Sequence, residues 1–378
     1  MPDYSNLEID LDKTNRSFVI ERLLNLKNAL SSSIPQKSTD KNFILATWNI
    51  REFERATYGD RLPETYYYIA EIISHFDLVA VQEVREDLNA LRRLKNILGE
   101  HWNYLVSDIT EGSAGNGERM AYLYDSRKVR FCNVAGEIVL PPKATKIKKT
   151  GNKKSAIKYE PIAQFSRTPY LVSFQSGWFK FYLCTVHILY GDDKDVSKRT
   201  DEIKNIAMFF KKRALDENKY DENNDLWNRQ NFILLGDFNI IDRTNETFKA
   251  LTYKTDFKIP DSLLKTNLEG SNVLKDKYYD QIVFNSNEKV CNVTQGAAGI
   301  FDYFEYVFKK DENDFKHYIN DMKVAKARSA SKSKTPDMGY YSKWRTYQMS
   351  DHLPMWVEFE TDFSKVFLQA KVNEINNV

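Results

Sequence analysis

The chain is poor in cysteine, histidine, glycine and proline. Its 3 Cys in 378 residues are far apart and odd in number, which excludes a disulfide framework and a thiolate zinc site. Cys132, Cys184 and Cys291 are therefore expected as reduced core thiols. The 14 Gly and 10 Pro form no rich linker, and no internal repeat divides the sequence. No apolar run approaches the ~20 residues that span a bilayer, so no transmembrane segment is expected. The opening MPDYSNLEIDLDKTN has no basic-then-apolar leader. These absences predict a soluble, cytoplasmic protein. The formal net charge of only +2 excludes a uniformly basic or acidic surface.

What is present is enough apolar residue, 42%, to fill a large core. Residues 1–40 read as a helical extension and linker, because Val19, Leu23, Leu26 and Leu30 recur at helical spacing before SSSIPQKSTD. Residues 41–362 read as the main domain and 363–378 as a tail. Within the domain, strands are expected at Phe43–Thr47, Leu78–Val81, Tyr170–Phe174, Phe179–Val186, Phe232–Leu235, Gln281–Phe284 and Trp356–Phe359. Met120–Tyr124 and Val129–Val134 suggest a hairpin. Helices follow Pro63 and carry the stripes Leu91, Leu94, Leu98 and Ile203, Ile206, Ala207, Phe210. Helices falling between groups of strands predict a layered α/β or α+β domain.

The small net charge hides local concentrations. KATKIKKTGNKKSAIK, from Lys143 to Lys158, holds Lys143, Lys146, Lys148, Lys149, Lys153, Lys154 and Lys158 and no acid. It reads as a basic loop that either meets an anionic substrate or is a solvated insertion. A second basic stretch contains Lys323, Lys326, Arg328, Lys332, Lys334, Lys343 and Arg345, interleaved with Tyr340, Tyr341 and Trp344. The acidic DENKYDENND, Asp216 to Asp225, is expected as a solvated loop.

Short polar islands end the apolar runs: Asn49 after ILATW, Gln82-Glu83 after LVAV, His187 after YLCTV, Asp237 and Asn239 after FILLG, and Ser350-Asp351-His352 before LPMWVEF. Buried strands that finish in carboxylate, amide or imidazole describe one polar site at one edge of a sheet. Such groups suit phosphate-ester hydrolysis. Carboxylate and amide oxygens hold a hard cation, imidazoles move protons near neutral pH, and water is activated between them. Gly236 permits close backbone approach, and an extended segment would point Asp237 and Asn239 to the same side.

In order and placement this set, from Phe43 to Phe359, resembles the endonuclease/exonuclease/phosphatase superfamily of deoxyribonuclease I type. The resemblance implies a four-layer α/β/β/α sandwich and a divalent metal, Mg²⁺ or Mn²⁺, held by Asn49, Glu83 and Asp351. It further implies that Asp237 and Asn239 serve the water and the phosphorane, with His187 and His352 as proton shuttles. Glu118, in GNGERMAYLY, would orient His187, and Asp280, in YYDQIVF, would orient His352. Arg85 and Arg167 would contact substrate phosphate, or else pair with acids on the surface. His75, His101 and His317 match no motif and read as structural or surface residues. The activity the resemblance implies is divalent-metal-dependent phosphodiester hydrolysis, first of all that of a DNA endonuclease of deoxyribonuclease I type, with nucleic acid as substrate and partner. A phosphatase or phosphodiesterase for an inositol phosphate or phospholipid headgroup, and a non-catalytic nucleic-acid-binding module, stay open as alternatives.

Overall fold

Alternation along the strands decides the layering. In β1 (Asn42–Phe53), Phe43 and Leu45 point into one apolar cluster while Ile44, Ala46 and Trp48 point into another. β2 (Leu78–Arg85) repeats the split, with Leu78 and Ala80 on one side and Val79 and Val81 on the other. A sheet that buries both faces must be covered on both. The computed structural model describes residues 1–53, 59–111, 115–147, 156–192, 196–219, 230–255, 257–265, 269–285, 291, 293–328 and 336–376.

The remaining strands are β3 (Trp102–Val106), β4 (Glu118–Asp125), β5 (Arg130–Glu137), β6 (Lys143–Ile147), β7 (Ala156–Glu160), β8 (Tyr170–Ser176), β9 (Phe179–His187), β10 (Asn231–Asp237), β11 (Asp280–Asn285), β12 (Val293–Ile300) and β13 (Met355–Glu360). Among the described residues the strands form a 6-stranded sheet in the order β12-β13-β1-β2-β4-β3, a 5-stranded sheet in the order β11-β10-β9-β8-β5 and a separate two-stranded ribbon, β6-β7. Between the sheets lie Phe43, Leu45, Tyr122, Phe174, Phe181 and Leu183. Phe43 and Phe181 meet at 5.1 Å between ring centroids. Helices Lys13–Ser33, Pro63–Ser74, Asn89–Leu98, Glu312–Arg328 and Met338–Gln348 cover the outer face of the first sheet. Ser197–Lys219 and Glu246–Thr252 cover that of the second. The architecture is the four-layer α/β/β/α sandwich expected from the resemblance. Among the described residues no helix is long and apolar enough to cross a membrane.

Several local expectations are corrected. The run 120–134 is not a hairpin: β4 pairs with β2 and β3, whereas β5 pairs with β8 in the other sheet. The connecting turn carries Lys128, whose Nζ bonds Asp77 at 2.7 Å, and Val129 drops into the inter-sheet core. The lysine-rich run is not simply a loop, because its flanks pair as the antiparallel ribbon β6–β7. Its Lys148, Lys149, Lys153 and Lys154 lie outside the described residues. The helix Ser197–Lys219 takes in the start of the acidic stretch, whose residues from 220 on also lie outside. In the second basic stretch, Tyr341 and Trp344 are core residues, and Arg345 is buried, donating to the Phe308 carbonyl at 3.0 Å. Cys184 and Cys291 are free and buried as expected, but Cys132 is free on partly exposed β5.

Strand polarity gathers one set of ends. β1 runs parallel to β2, and β9 parallel to β10. The C-terminal ends of these strands therefore reach one rim, together with the N-terminal ends of their antiparallel neighbours β4, β11 and β13.

Candidate active site

The register places the polar islands side by side. Asp237 lies opposite His187 on one flank and Asp280 on the other. Arg85 lies opposite Glu118, and Asn49 opposite Gln82. Beneath the rim Gln82 is fully buried and joins the sheets, its Nε2 donating to Thr185 Oγ1 at 2.8 Å and Thr47 Oγ1 at 3.1 Å. The next residue turns the other way because β2 is irregular between Val81 and Val84. Glu83 adopts φ +61°, a left-handed conformation that a non-glycine residue takes at a cost. Glu52 and Asn239, also at the rim, share this conformation at φ 45° and 52°.

Asp237 Oδ2 is the meeting point. Asn49 Nδ2 donates to it at 3.0 Å, and the Nε2 atoms of His187 and His352 stand 3.5 and 3.6 Å away. Each ring is backed by a second acid. His187 Nδ1 lies 2.9 Å from Glu118 Oε2, and His352 Nδ1 lies 2.8 Å from Asp280 Oδ2. Burial alone would lower the His352 pKa, but Asp280 and Asp237 outweigh it and raise the pKa to about 10. Burial pushes the Glu118 carboxyl up, yet His187, Arg167 and the Asn116 amide together hold it down to about 2.

Asn239 does not sit in an extended run with Asp237. A tight turn lets Asp237 Oδ1 accept from the Asn239 backbone N–H at 2.8 Å, while Asn239 Nδ2 donates to the Ile188 carbonyl at 2.7 Å. Gly236 is needed as expected: with φ +131°, a Cβ there would come within 2.1 Å of the Val186 carbonyl.

Asn49 and Glu83 are joined directly, Asn49 Nδ2 donating to Glu83 Oε1 at 3.0 Å. Glu83 Oε2 accepts from the Glu52 backbone at 2.7 Å. Burial, then the like charges of Glu118 and Asp351, push the Glu83 pKa up against the opposing pull of His187. Asn49 Oδ1 is buried without a hydrogen-bond partner. A crowded, half-buried acid beside an orphan amide oxygen fits a hard cation, whose charge would relax the one and whose coordination would satisfy the other. Glu83, Glu118 and His187 also place ligand-type atoms within 4.8 Å of one another. The Glu118 carboxylate, however, is already engaged by Arg167 Nε at 2.7 Å and Asn116 Nδ2 at 2.8 Å. Asp351 stands apart from this group, more exposed and 3.3 Å from Arg51 Nη1.

Neither arginine points freely outward. Arg85 is largely buried, with Nη1 donating to the Asn116 carbonyl and Nη2 3.4 Å from Glu52 Oε1. Arg167 grips Glu118. The remaining histidines sit away from the rim: His75 contacts Glu71 at 3.2 Å, His317 stacks on Phe18, and the His101 carbonyl accepts from Ser126.

Several supporting residues were given no role by the sequence. Ser350 Oγ donates to the Asn49 carbonyl at 2.6 Å and accepts from the His352 backbone at 3.0 Å, tying the first and last islands. Tyr303 Oη donates to the carbonyls of Ser350 and His352, both at 2.9 Å, and Trp48 Nε1 to that of His352 at 3.0 Å. Arg51 lies over the Tyr347 ring and bonds Thr346 at 2.8 Å. Ser350 is named in its motif; the others could be found only through the fold.

Comparison with known proteins places this rim in context. The chain is similar in fold to an endonuclease/exonuclease/phosphatase family protein from Bacteroides thetaiotaomicron, at 16% identity and TM-score 0.50, over 86% of this chain and 97% of that one. It is likewise similar to the human Nocturnin catalytic domain with bound sulfate, at 12% identity and TM-score 0.51, over 84% and 94%. No curated protein matches in sequence. The model of the Endonuclease/Exonuclease/phosphatase family matches residues 46–257, more than half of the chain and every rim island except Asp280 and Ser350-Asp351-His352. The chain belongs to the endonuclease/exonuclease/phosphatase family, whose members are hydrolases acting on phosphoester bonds.

Proposed function

We propose that this protein is a divalent-metal-dependent phosphodiesterase that cleaves DNA internally. The observation that carries the reading is the convergence of Asn49 and both imidazoles on Asp237 Oδ2, within 3.0 to 3.6 Å, each ring backed by its own carboxylate. A binding module has no use for such a set. A polymeric anion as substrate is supported by the lysine-bearing ribbon β6–β7, inserted between β5 and β8.

Asn49 and Glu83 would hold Mg²⁺ or Mn²⁺ through oxygen, joined by Asp351 once it leaves Arg51. Held there, a divalent cation would supply positive charge beside the phosphoryl oxygens and make water easier to deprotonate. Asp237 accepts the proton of the attacking water. Its second oxygen is fixed by the Asn239 backbone, so its lone pair keeps one direction. Asn239 commits one side-chain N–H to Ile188 and keeps the other for a phosphoryl oxygen. His352, held protonated by Asp280 and Asp237, faces the negative charge that grows on phosphorus and delivers a proton to the departing oxygen. His187, oriented by Glu118, shares that work from the opposite flank. Arg167 acts through Glu118, and Arg85 through the turn at Asn116.

The test is hydrolysis of a small diester, bis(p-nitrophenyl) phosphate, by wild type, Asp237→Asn and His352→Ala in Mg²⁺. Turnover by wild type that falls by on the order of 10² or more in each variant supports the reading. Unchanged turnover in either variant would remove that residue from the chemistry.

A further inference from the structure

The ribbon β6–β7 is unusual in what surrounds it. The register Lys143↔Glu160, Ala144↔Tyr159, Thr145↔Lys158 and Lys146↔Ile157 puts Ala144, Lys146, Ile157 and Tyr159 on one face. Every one of these residues is exposed, Ile157 at 52% and Tyr159 at 64%. Lys143 and Lys158 on the opposite face are exposed as well. Among the described residues nothing covers either face of this two-stranded ribbon, an arrangement with little stability of its own and a liability for aggregation unless something else is bound there.

Its stem, by contrast, is fixed. Ile138, Leu140 and Phe165 are buried in the apolar cluster around the second sheet, and Leu140 N donates to Gln164 Oε1 at 2.9 Å. The Ile138 N–H donates to the Pro169 carbonyl at 2.9 Å, and between these anchors Arg167 reaches Glu118. The C-terminal end of β5 and the N-terminal end of β8 lie at the rim, because Glu137 pairs with Tyr170 and Tyr170 with Thr185, close to His187. The free ribbon therefore leaves the sandwich at the very edge where the polar cluster sits. Positive charge, an exposed aromatic ring and an aliphatic neighbour are the elements with which proteins hold unpaired nucleotides: lysines meet phosphates, and rings offer a face for a base. Duplex DNA hides its base faces and could use only the lysines.

We infer that β6–β7 is an arm that holds a single-stranded stretch of DNA, with a base stacked on Tyr159 beside Ile157 and Lys146 against the adjoining phosphate. The inference rests on the proposed nuclease reading and extends it to substrate form. The enzyme would then cut preferentially at single-stranded segments lying between the arm and the Asp237 cluster.

The experiment measures affinity by fluorescence anisotropy for one labelled oligodeoxynucleotide, single-stranded and annealed to its complement, in EDTA so that nothing is cut. Wild type, Tyr159→Ala, Tyr159→Trp and Lys146→Ala are compared, with bis(p-nitrophenyl) phosphate hydrolysis in Mg²⁺ measured in parallel. We expect Tyr159→Ala to lose roughly 5- to 150-fold in single-strand affinity, the worth of one stacked base, and Tyr159→Trp to keep it. Lys146→Ala should weaken both forms and flatten the salt dependence of each. Duplex affinity should change less than about 2-fold in Tyr159→Ala, since that form presents no base face. Hydrolysis of the small diester should be untouched in all three variants, showing that the fold and the chemistry are intact. Equal losses on both DNA forms, or none on the single strand, would overturn the arm while leaving the phosphodiesterase reading in place. Wild type that binds no DNA would overturn the arm and the DNA substrate together, and intact diester hydrolysis would still separate that result from failure of the chemistry. Loss of cosedimentation with anionic phospholipid vesicles in Tyr159→Ala, with single-strand binding unchanged, would overturn it in favour of a lipid surface.

Discussion

His352 and Asp280 form a closed pair: ring Nδ1 stands 2.8 Å from the Asp280 carboxylate, which leaves Nε2 facing Asp237 at 3.6 Å. With Asp280 and Asp237 overcoming the effect of burial, the ring pKa rises to about 10. That value lies above the ordinary one, so the pair stabilises the fold fully below about pH 6.5, and the contribution fades as pH climbs towards 10. Replacing Asp280 with Asn should therefore bring the alkaline limb of the kcat profile down by about one pH unit or more. A pH–rate profile identical to wild type would contradict this. His187→Ala and His352→Ala should each reduce kcat by on the order of 10² to 10⁴ with an unchanged circular dichroism spectrum.

Metal dependence should localise to the Asn49–Glu83 corner. EDTA is expected to abolish turnover, and Mg²⁺ or Mn²⁺ to restore it. Glu83→Gln should raise the Mg²⁺ concentration for half-maximal activity by at least about 10-fold, since it removes a charged oxygen from the site. A Mg²⁺ titration superimposable on wild type would place the ion elsewhere.

Much of this site was legible in the sequence, for a definable reason. Asn49, Glu83, His187 and Asp237 each close an apolar strand, and parallel strands carry such ends to one rim whatever the loops between them do. The pairings Glu118–His187 and Asp280–His352 were implied by resemblance and are present across the two sheets: Glu118 begins β4 and His352 precedes β13 in one sheet, while His187 ends β9 and Asp280 begins β11 in the other. What was not legible depends on contacts remote in sequence. Nothing local says that Arg167 turns onto Glu118, that Arg51 holds Asp351, or that Tyr303 braces the carbonyl groups of Ser350 and His352. The mistaken hairpin at 120–134 fails likewise: two apolar runs with a short turn look the same whether they pair together or part into different sheets.

A buried acid in the helical layer gives a separate check on the fold. Glu64, in the helix Pro63–Ser74, is pushed up to about 7 chiefly by burial, with Asp321 and Asp12 adding repulsion. The folded chain keeps a proton that the unfolded chain releases above about 4.5, so stability falls from about pH 4.5 to 7 and then levels. Glu64→Gln should escape this loss and exceed wild type by on the order of 3 kcal/mol at pH 8, with the advantage nearly gone at pH 4.5. Urea unfolding at both pH values measures it; an equal difference at both would refute the assignment.

If DNA is the substrate, the exposed lysines of the ribbon should appear in the salt dependence of binding. Removing one lysine–phosphate pairing, at Lys143, Lys146 or Lys158, should change the log–log slope on duplex by about 0.9, as fewer counterions are released. Lys158 already pairs with Glu160 at 2.8 Å and should contribute least. Superimposable slopes for wild type and the triple alanine variant would make these lysines mere solvated surface.

The most direct test of the whole account is supercoiled plasmid incubated with the protein in Mg²⁺, beside a phosphomonoester and beside EDTA controls. We predict conversion of plasmid to nicked and linear forms, abolished by EDTA and by Asp237→Asn, with little hydrolysis of the monoester. Intact plasmid with rapid turnover of the monoester, or plasmid cleavage that persists in EDTA, would contradict it.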